Sequence, residues 1–217
     1  VFRQGRSSVA EGGEAVILKA LTVGPYMANC YIVGSESSGE GMVIDPGAEG
    51  EAITRVIERT GLAVKLIVAT HGHIDHVGAV DYVRQKTGAP FALHAAEQRC
   101  GGPYDRLPAP DVFLKDGDII KVGEIPFTVA HIPGHSPGGI ALVGPGLVFS
   151  GDTLFQFSIG RTDFPGGSYP DLMNGIFDKL LTLPEETVVY SGHGPETTIG
   201  MERKVNPFIR DWARRRP

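Results

Sequence analysis

The sequence predicts an α+β protein, and three observations predict it. Short apolar runs of strand length recur along the chain. Segments with apolar residues at helical spacing stand between them. The 30 glycines and 16 prolines among 217 residues punctuate the whole with turns.

The β-like runs are 15–23, 30–33, 42–44, 64–69, 91–93, 118–122, 127–131, 140–143, 147–149 and 187–190. Ala52, Ile53, Val56 and Ile57 make a first helical stripe, closed by Gly61 as its C′ residue. Val77, Val80 and Val83 make a second, ending near Gly88. Leu172, Ile176, Phe177, Leu180 and Leu181 make a third, opened by Ser168 with Pro170 in its first turn. A last helix is expected over 199–215. The proline-rich stretch 101–110 reads as a surface loop, and residues 1–13, polar and rich in glycine, as a flexible arm.

Composition narrows the classes. Hydrophobic residues are 41% and charged residues 21% of the chain, as in ordinary globular proteins, and the length suits one domain spanning 1–217. A net charge of −5 gives a nucleic-acid partner no electrostatic support. The basic stretch Arg210 to Arg216 reads as a solvated helix end, where cations are favoured anyway. No apolar run is long enough to span a membrane. Cys30 and Cys100 do not make a disulfide framework, so a reducing, cytoplasmic setting is expected.

The ends of the runs carry the chemistry. Asp45, His71, His135, Asp152 and His193 each follow an apolar run within a few residues, and glycine immediately precedes three of them. Such residues at the carboxyl ends of neighbouring strands would gather at one edge of a sheet. The stretch Thr70-His71-Gly72-His73-Ile74-Asp75-His76 adds three imidazoles and a carboxylate in six positions. Imidazole suits Zn, Fe and similar metals, and a carboxylate compensates charge. His71, His73, Asp75, His76, His135, Asp152 and His193 are too many ligands for one tetrahedral ion and suit two. His71 and His73 point the same way in an extended segment. The start of the following helix favours a neutral, ligating His76. Asp45 fits two readings: a turn residue before Pro46-Gly47, or a carboxylate that orients a metal-bound histidine. His94 reads as a hydrogen-bonded structural residue, and His131 as packing or as a support behind the ligands rather than a ligand itself.

The set Thr70-His71-x-His73-x-Asp75-His76, His135, Asp152, His193 resembles the pattern of the metallo-β-lactamase superfamily. The words Asn29-Cys30-Tyr31, Asp45-Pro46-Gly47, Pro133-Gly134-His135-Ser136-Pro137-Gly138, Gly151-Asp152-Thr153-Leu154-Phe155 and Gly192-His193-Gly194 are similar to its glyoxalase II branch. The match runs from about residue 16 to 208. The resemblance implies a four-layer αββα sandwich, the metallo-β-lactamase fold. It implies one divalent ion on His71, His73 and His135, a second on Asp75, His76 and His193, and Asp152 bridging them beside a water or hydroxide. Zn is the expected metal, with Fe or Mn as alternatives, and Asp75 and Asp152 are the candidate catalytic carboxylates.

The implied chemistry is attack of a bridging hydroxide on a carbonyl. A thiol, with a pKa of about 8.5, leaves without a general acid, whereas an amine needs one. The motifs offer no spare acid, which favours a small-molecule thioester substrate. Zinc β-lactamases of the best-known type carry Cys where Asp152 stands. Glyoxalase II enzymes carry Lys and Tyr at Arg161 and Asp163, where they hold the glutathione backbone. Arg161 fits two readings, a grip on a substrate carboxylate or a loop salt bridge with Asp163. After His193 the chain is too short for the helical substrate domain of the full-length enzymes, so the resemblance is to their short, single-domain relatives. The expectation is a hydrolase of small acyl thioesters such as S-lactoylglutathione, monomeric or homo-oligomeric. One alternative is a mononuclear-iron persulfide dioxygenase using His71, His135 and Asp152, because Gly160-Arg161-Thr162-Asp163 occurs there too. The other is a non-catalytic metal-holding binding protein.

Overall fold

The computed structural model describes residues 2–4, 8–9, 15–99 and 107–215. Of the expected flexible arm, the described residues form strands β1 (Phe2–Gln4) and β2 (Ser8–Val9), both paired antiparallel to β3 (Ala15–Val23). The rest of that arm, Cys100, residues 101–106 of the expected surface loop and Arg216 lie outside the described residues.

The first sheet continues through β4 (Ala28–Ser35), β5 (Glu40–Ile44), β6 (Ala63–Val68), β7 (Phe91–His94) and β8 (Val112–Leu114), in that spatial order. Helix α1 (Gly50–Thr60) connects β5 to β6, and α2 (Ile74–Val77) with α3 (Val80–Thr87) connects β6 to β7. The helical crossovers make β5, β6 and β7 parallel, and β8 pairs parallel to β7, while β3 to β5 are antiparallel. The second sheet takes β9 (Ile119–Val122), β10 (Ile125–His131), β11 (Ile140–Gly144), β12 (Leu147–Gly151), β15 (Val188–Ser191) and β16 (Thr197–Thr198). A small hairpin, β13 (Leu154–Phe155) and β14 (Ser158–Ile159), precedes α4 (Tyr169–Gly175), and α5 (Ile199–Val205) and α6 (Pro207–Arg215) follow β16.

Three apolar clusters define four layers. Val33, Met42 and Ile44 meet Phe127, Leu142 and Phe149 between the sheets. Ile32, Val43 and Ile67, on the other face of the first sheet, meet Ile53, Val56 and Val83 of α1 and α3. Ala141, Val148 and Val189, on the outer face of the second, meet Leu172, Met173 and Ile199. Both faces of β4 are thus covered, and all eight of its residues are buried in period-two alternation. The architecture is the expected αββα sandwich.

Two helix expectations need correction. The second stripe is two helices, because Ala79 turns its N–H to Pro46 O at 2.9 Å and Gly78 packs on the Gly47 carbonyl. The 199–215 helix is also two, broken where Asn206 takes the extended backbone that a following proline demands. The first stripe ends as read, on left-handed Gly61 with φ 69°. Ser168 caps α4, its hydroxyl accepting from Asp171 N at 3.3 Å, and the helix runs on into a π turn over Ile176–Leu180.

The topology decides where the strand ends go. β5 and β6 are parallel to each other. β10, β12 and β15 also share one direction, since β11 is antiparallel to both β10 and β12. Their carboxyl ends deliver Asp45, His71, His135, Asp152 and His193 to one rim of the sandwich, with both sheets contributing.

Candidate metal centre

Asp45 anchors the centre. It follows β5 in a left-handed turn with φ 53°, a conformation Asp tolerates better than most residues. Its Oδ1 accepts Thr70 N–H at 2.6 Å, and its Oδ2 accepts Thr70 Oγ1 at 2.7 Å and His76 Nδ1 at 3.0 Å. The Thr70 hydroxyl proton is spent on Asp45, so that oxygen accepts from His71 Nδ1 at 3.1 Å. These bonds place a ring proton on Nδ1 of both His71 and His76 and leave both Nε2 atoms facing the rim. Asp45 is therefore both a turn residue and the carboxylate that orients His76.

The second sheet completes the set. His135 Nδ1 donates to Arg161 O at 2.8 Å, which turns its Nε2 to within 2.9 Å of His73 Nδ1. Two imidazole lone pairs repel at that spacing unless a proton or a cation lies between them. Asp152 brings Oδ1 to 3.5 Å from His76 Nε2, and Oδ2 to 3.5 Å from both His135 Nε2 and His193 Nε2. His193 Nε2 lies 3.3 Å from Asp75 Oδ2. Three groups emerge with ligand atoms within 4.8 Å of one another: His71, His73 and His135; His71, His76 and Asp152; and Asp75, His76 and His193. All seven sequence candidates are brought together, with Asp152 between the two histidine-rich ends.

The residues fit divalent ions on a structural criterion. His71 Nε2, His76 Nε2 and Asp152 Oδ1 are buried with no hydrogen-bond partner among the described residues, a costly state unless something binds there. The electrostatics agree. Burial, then the neighbouring imidazoles, push His71 well below its ordinary value and His73 down to about 3. At the other end burial opposes charge, but Asp152 and Asp45 outweigh it and raise His76 to about 9. The hydrogen bond with Asp75 raises His193. Burial pushes Asp75 up, yet that bond and His76 bring it down to about 2. Both upward shifts show that the carboxylates at this end favour positive charge beside them, which is the charge a cation would bring.

Four supporting residues surround the ligands; Asn29, Tyr31 and Gly192 stood in motif words of the sequence, and Glu97 escaped it. Glu97, 2% exposed, accepts Gly72 N–H at 2.8 Å on one oxygen and Gly138 N–H at 2.6 Å on the other. It ties the His71–His73 loop to the loop after His135. Asn29 Nδ2 donates to Ser191 O and Gly194 O, and Tyr31 Oη to Ser191 O at 2.6 Å, holding the His193 loop against β4. A Cβ at Gly192 would stand 2.1 Å from Asp152 Oδ1 and 2.8 Å from His76 Cε1, so only glycine passes there.

Other candidates fall outside the cluster. The Arg161 guanidinium forms a two-bond fork with Asp163, at 2.9 and 2.8 Å, and lies 4.3 Å over the Phe164 ring. It lines the cleft with that fork already made. His94 and His131 stack at 4.0 Å, His131 bonded through Nε2 to Pro137 O, and neither joins a metal-holding group among the described residues. The centre opens into a cleft of about 570 Å³ lined by Tyr26, Ile74, Phe155, Ser158, Ile159, Arg161 and Phe164 beside His73, Asp75, His135, Asp152 and His193. No helix among the described residues is long and apolar enough to cross a membrane.

A family model described as the metallo-beta-lactamase superfamily matches residues 23–193. The protein named hydroxyacylglutathione hydrolase GloC of Haemophilus influenzae is 36% identical over 207 residues, covering 88% of this chain and 97% of that one. Among solved structures, BLEG-1, titled a B3 metallo-beta-lactamase, superposes with a TM-score of 0.83 at 39% identity, over 89% of this chain and 99% of that one. TTHA1623 in a di-iron-bound form gives 0.79 at 38% identity, over 87% and 98%.

Proposed function

The chain belongs to the metallo-β-lactamase superfamily, and from that premise we propose that it is a metal-dependent hydrolase of small acyl thioesters, S-lactoylglutathione among them. His71, His73 and His135 would hold one divalent ion, and Asp75, His76 and His193 the other, with Asp152 facing both. Bound ions of this kind lower the pKa of water toward neutrality and polarise a substrate carbonyl. The observation that carries the reading is the Asp152 carboxylate between two complete ligand groups at the floor of an open cleft.

The chain's own residues do the rest. Asp45 and Thr70 hold the Nδ1 sides of His76 and His71 and so aim both Nε2 atoms at the rim. Glu97 and Asn29 fix the loops that carry the ligands from the two sheets. No carboxylic acid or imidazole outside the ligand set lines the cleft among the described residues. A leaving group that departs unprotonated is therefore favoured, and a thiolate does so where an amine does not.

A second reading, a mononuclear-iron dioxygenase, is supported by the Gly160-Arg161-Thr162-Asp163 word. The complete group Asp75, His76 and His193 favours two ions over one. Metal content and a substrate panel on one preparation test both. About two Zn, Fe or Mn per chain with turnover of a thioester supports the proposal. One Fe with dioxygen consumption supports the second reading, and cleavage of a β-lactam but no thioester overturns the leaving-group argument.

A further inference from the structure

The walls of the cleft say which part of a thioester it can recognise. Phe164 stands edge-on to His73 at 5.1 Å and to His135 at 5.8 Å, and Phe155 stands edge-on to His193 at 6.2 Å. Aromatic rings therefore wall both ends of the metal centre. Tyr26, Ile74 and Ile159 add apolar lining, with Tyr26 67% and Ile74 54% exposed, and Ser158 and Arg161 are the polar members outside the ligand set. Beside them Met27 is 66% and Phe157 48% exposed, the first next to Tyr26 in its turn and the second at the tip of the β13–β14 hairpin. Large apolar side chains at the mouth of a site rather than in a core are surface that a ligand is suited to cover.

Charge points the same way. Arg161 is the one Lys or Arg lining the cleft among the described residues. Its guanidinium is forked with Asp163 and stacked on Phe164. A glutathione carrier brings two carboxylates, and burying a carboxylate without a partner is costly.

We infer that the cleft selects thioesters whose non-reacting part is uncharged and apolar, an aliphatic or aromatic acyl chain on a small neutral thiol, over glutathione thioesters. This rests on the thioesterase reading for its chemistry but not for its binding. Recognition comes from burying methylene and ring surface against Tyr26, Phe155, Ile159 and Phe164, so affinity grows with chain length.

The test crosses chain length with carrier charge on the metal-loaded protein. The substrates are the acetyl and hexanoyl thioesters of N-acetylcysteamine and of glutathione. Hexanoyl is expected to exceed acetyl in kcat/KM by at least about tenfold on either carrier, mostly through KM, from roughly two- to threefold per methylene covered. The neutral carrier is expected to match or exceed glutathione. Tyr26→Ser and Phe164→Ser are expected to shrink the chain-length gain. A preference of tenfold or more for glutathione, or no gain with length, overturns the inference. Calorimetric binding of two uncleavable thioethers separates the two claims. If no thioester turns over but S-hexyl-N-acetylcysteamine binds more tightly than S-methylglutathione, the inference stands and the hydrolase reading falls. Equal or reversed affinities overturn the inference whatever the turnover.

Discussion

Asp152 meets three imidazoles with two oxygens, each contact at 3.5 Å, and is 10% exposed at its side chain. The other proposed carboxylate ligand, Asp75, meets His76 and His193, at one end of the centre. Asp152→Ala is expected to abolish hydrolysis and to lower metal content at both positions; metal analysis showing two ions per chain with near-normal turnover would sink the two-ion centre. Glu97 works at one remove. A Gln there keeps one acceptor and turns an NH2 toward the second backbone N–H, leaving a buried donor unpaired at about 1–3 kcal/mol. Glu97→Gln is expected to lower the melting temperature more with metal present than after chelation, because the loops it ties carry His71, His73 and His135. An equal drop in both states would make Glu97 a purely structural residue. The two residues also differ in how they could be found. Asp152 was legible because Asp after an apolar run and a glycine turn is a recognisable pattern. Glu97 was not, because its burial arises only when the fold brings together N–H groups that lie 25 and 41 residues away along the chain.

Elements were legible in proportion to their apolar pattern. The ten runs all became strands, with ends shifted by a residue or two, because each is long enough to bury side chains against a neighbouring layer. The strands of two or three residues carried no pattern of their own. β8, β13, β14 and β16 exist by pairing with longer partners or with each other. The break between α2 and α3 depends on a carbonyl from the Pro46 turn, which no local spacing announces. Strand exits can be tested directly. At the end of β15, Gly192→Ala would drive a methyl into Asp152 and His76. We expect a fall of about tenfold or more in metal affinity with unchanged far-ultraviolet circular dichroism. Full metal retention would show that the β15 exit tolerates a side chain.

Across the whole molecule the proposed centre joins the two sheets. None of the three ligand groups is complete within one sheet's half of the chain. Each ion would bind the folded state and not the unfolded one, so it stabilises by mass action, about 2.7 kcal/mol at a free concentration of 100 times its dissociation constant. For a chain of this size that corresponds to about 5–10 °C in melting temperature per ion. Chelation followed by calorimetry should show the drop and its reversal on adding metal. A melting temperature indifferent to chelator would mean that the sandwich stands without the centre.

Synthesis runs from the amino terminus, and the ligands emerge in an order the fold makes consequential. His71, His73, Asp75 and His76 appear together, early, on what becomes the first sheet. They have to wait for His135 before one group closes and for His193 before the last does. A nascent chain therefore presents only partial sites until His135 emerges, and the Asp75, His76 and His193 group stays open until β15 has been made. If the centre holds two ions, a chain stalled before β15 would carry the first ligand group without the second, and the second ion would have to follow the first.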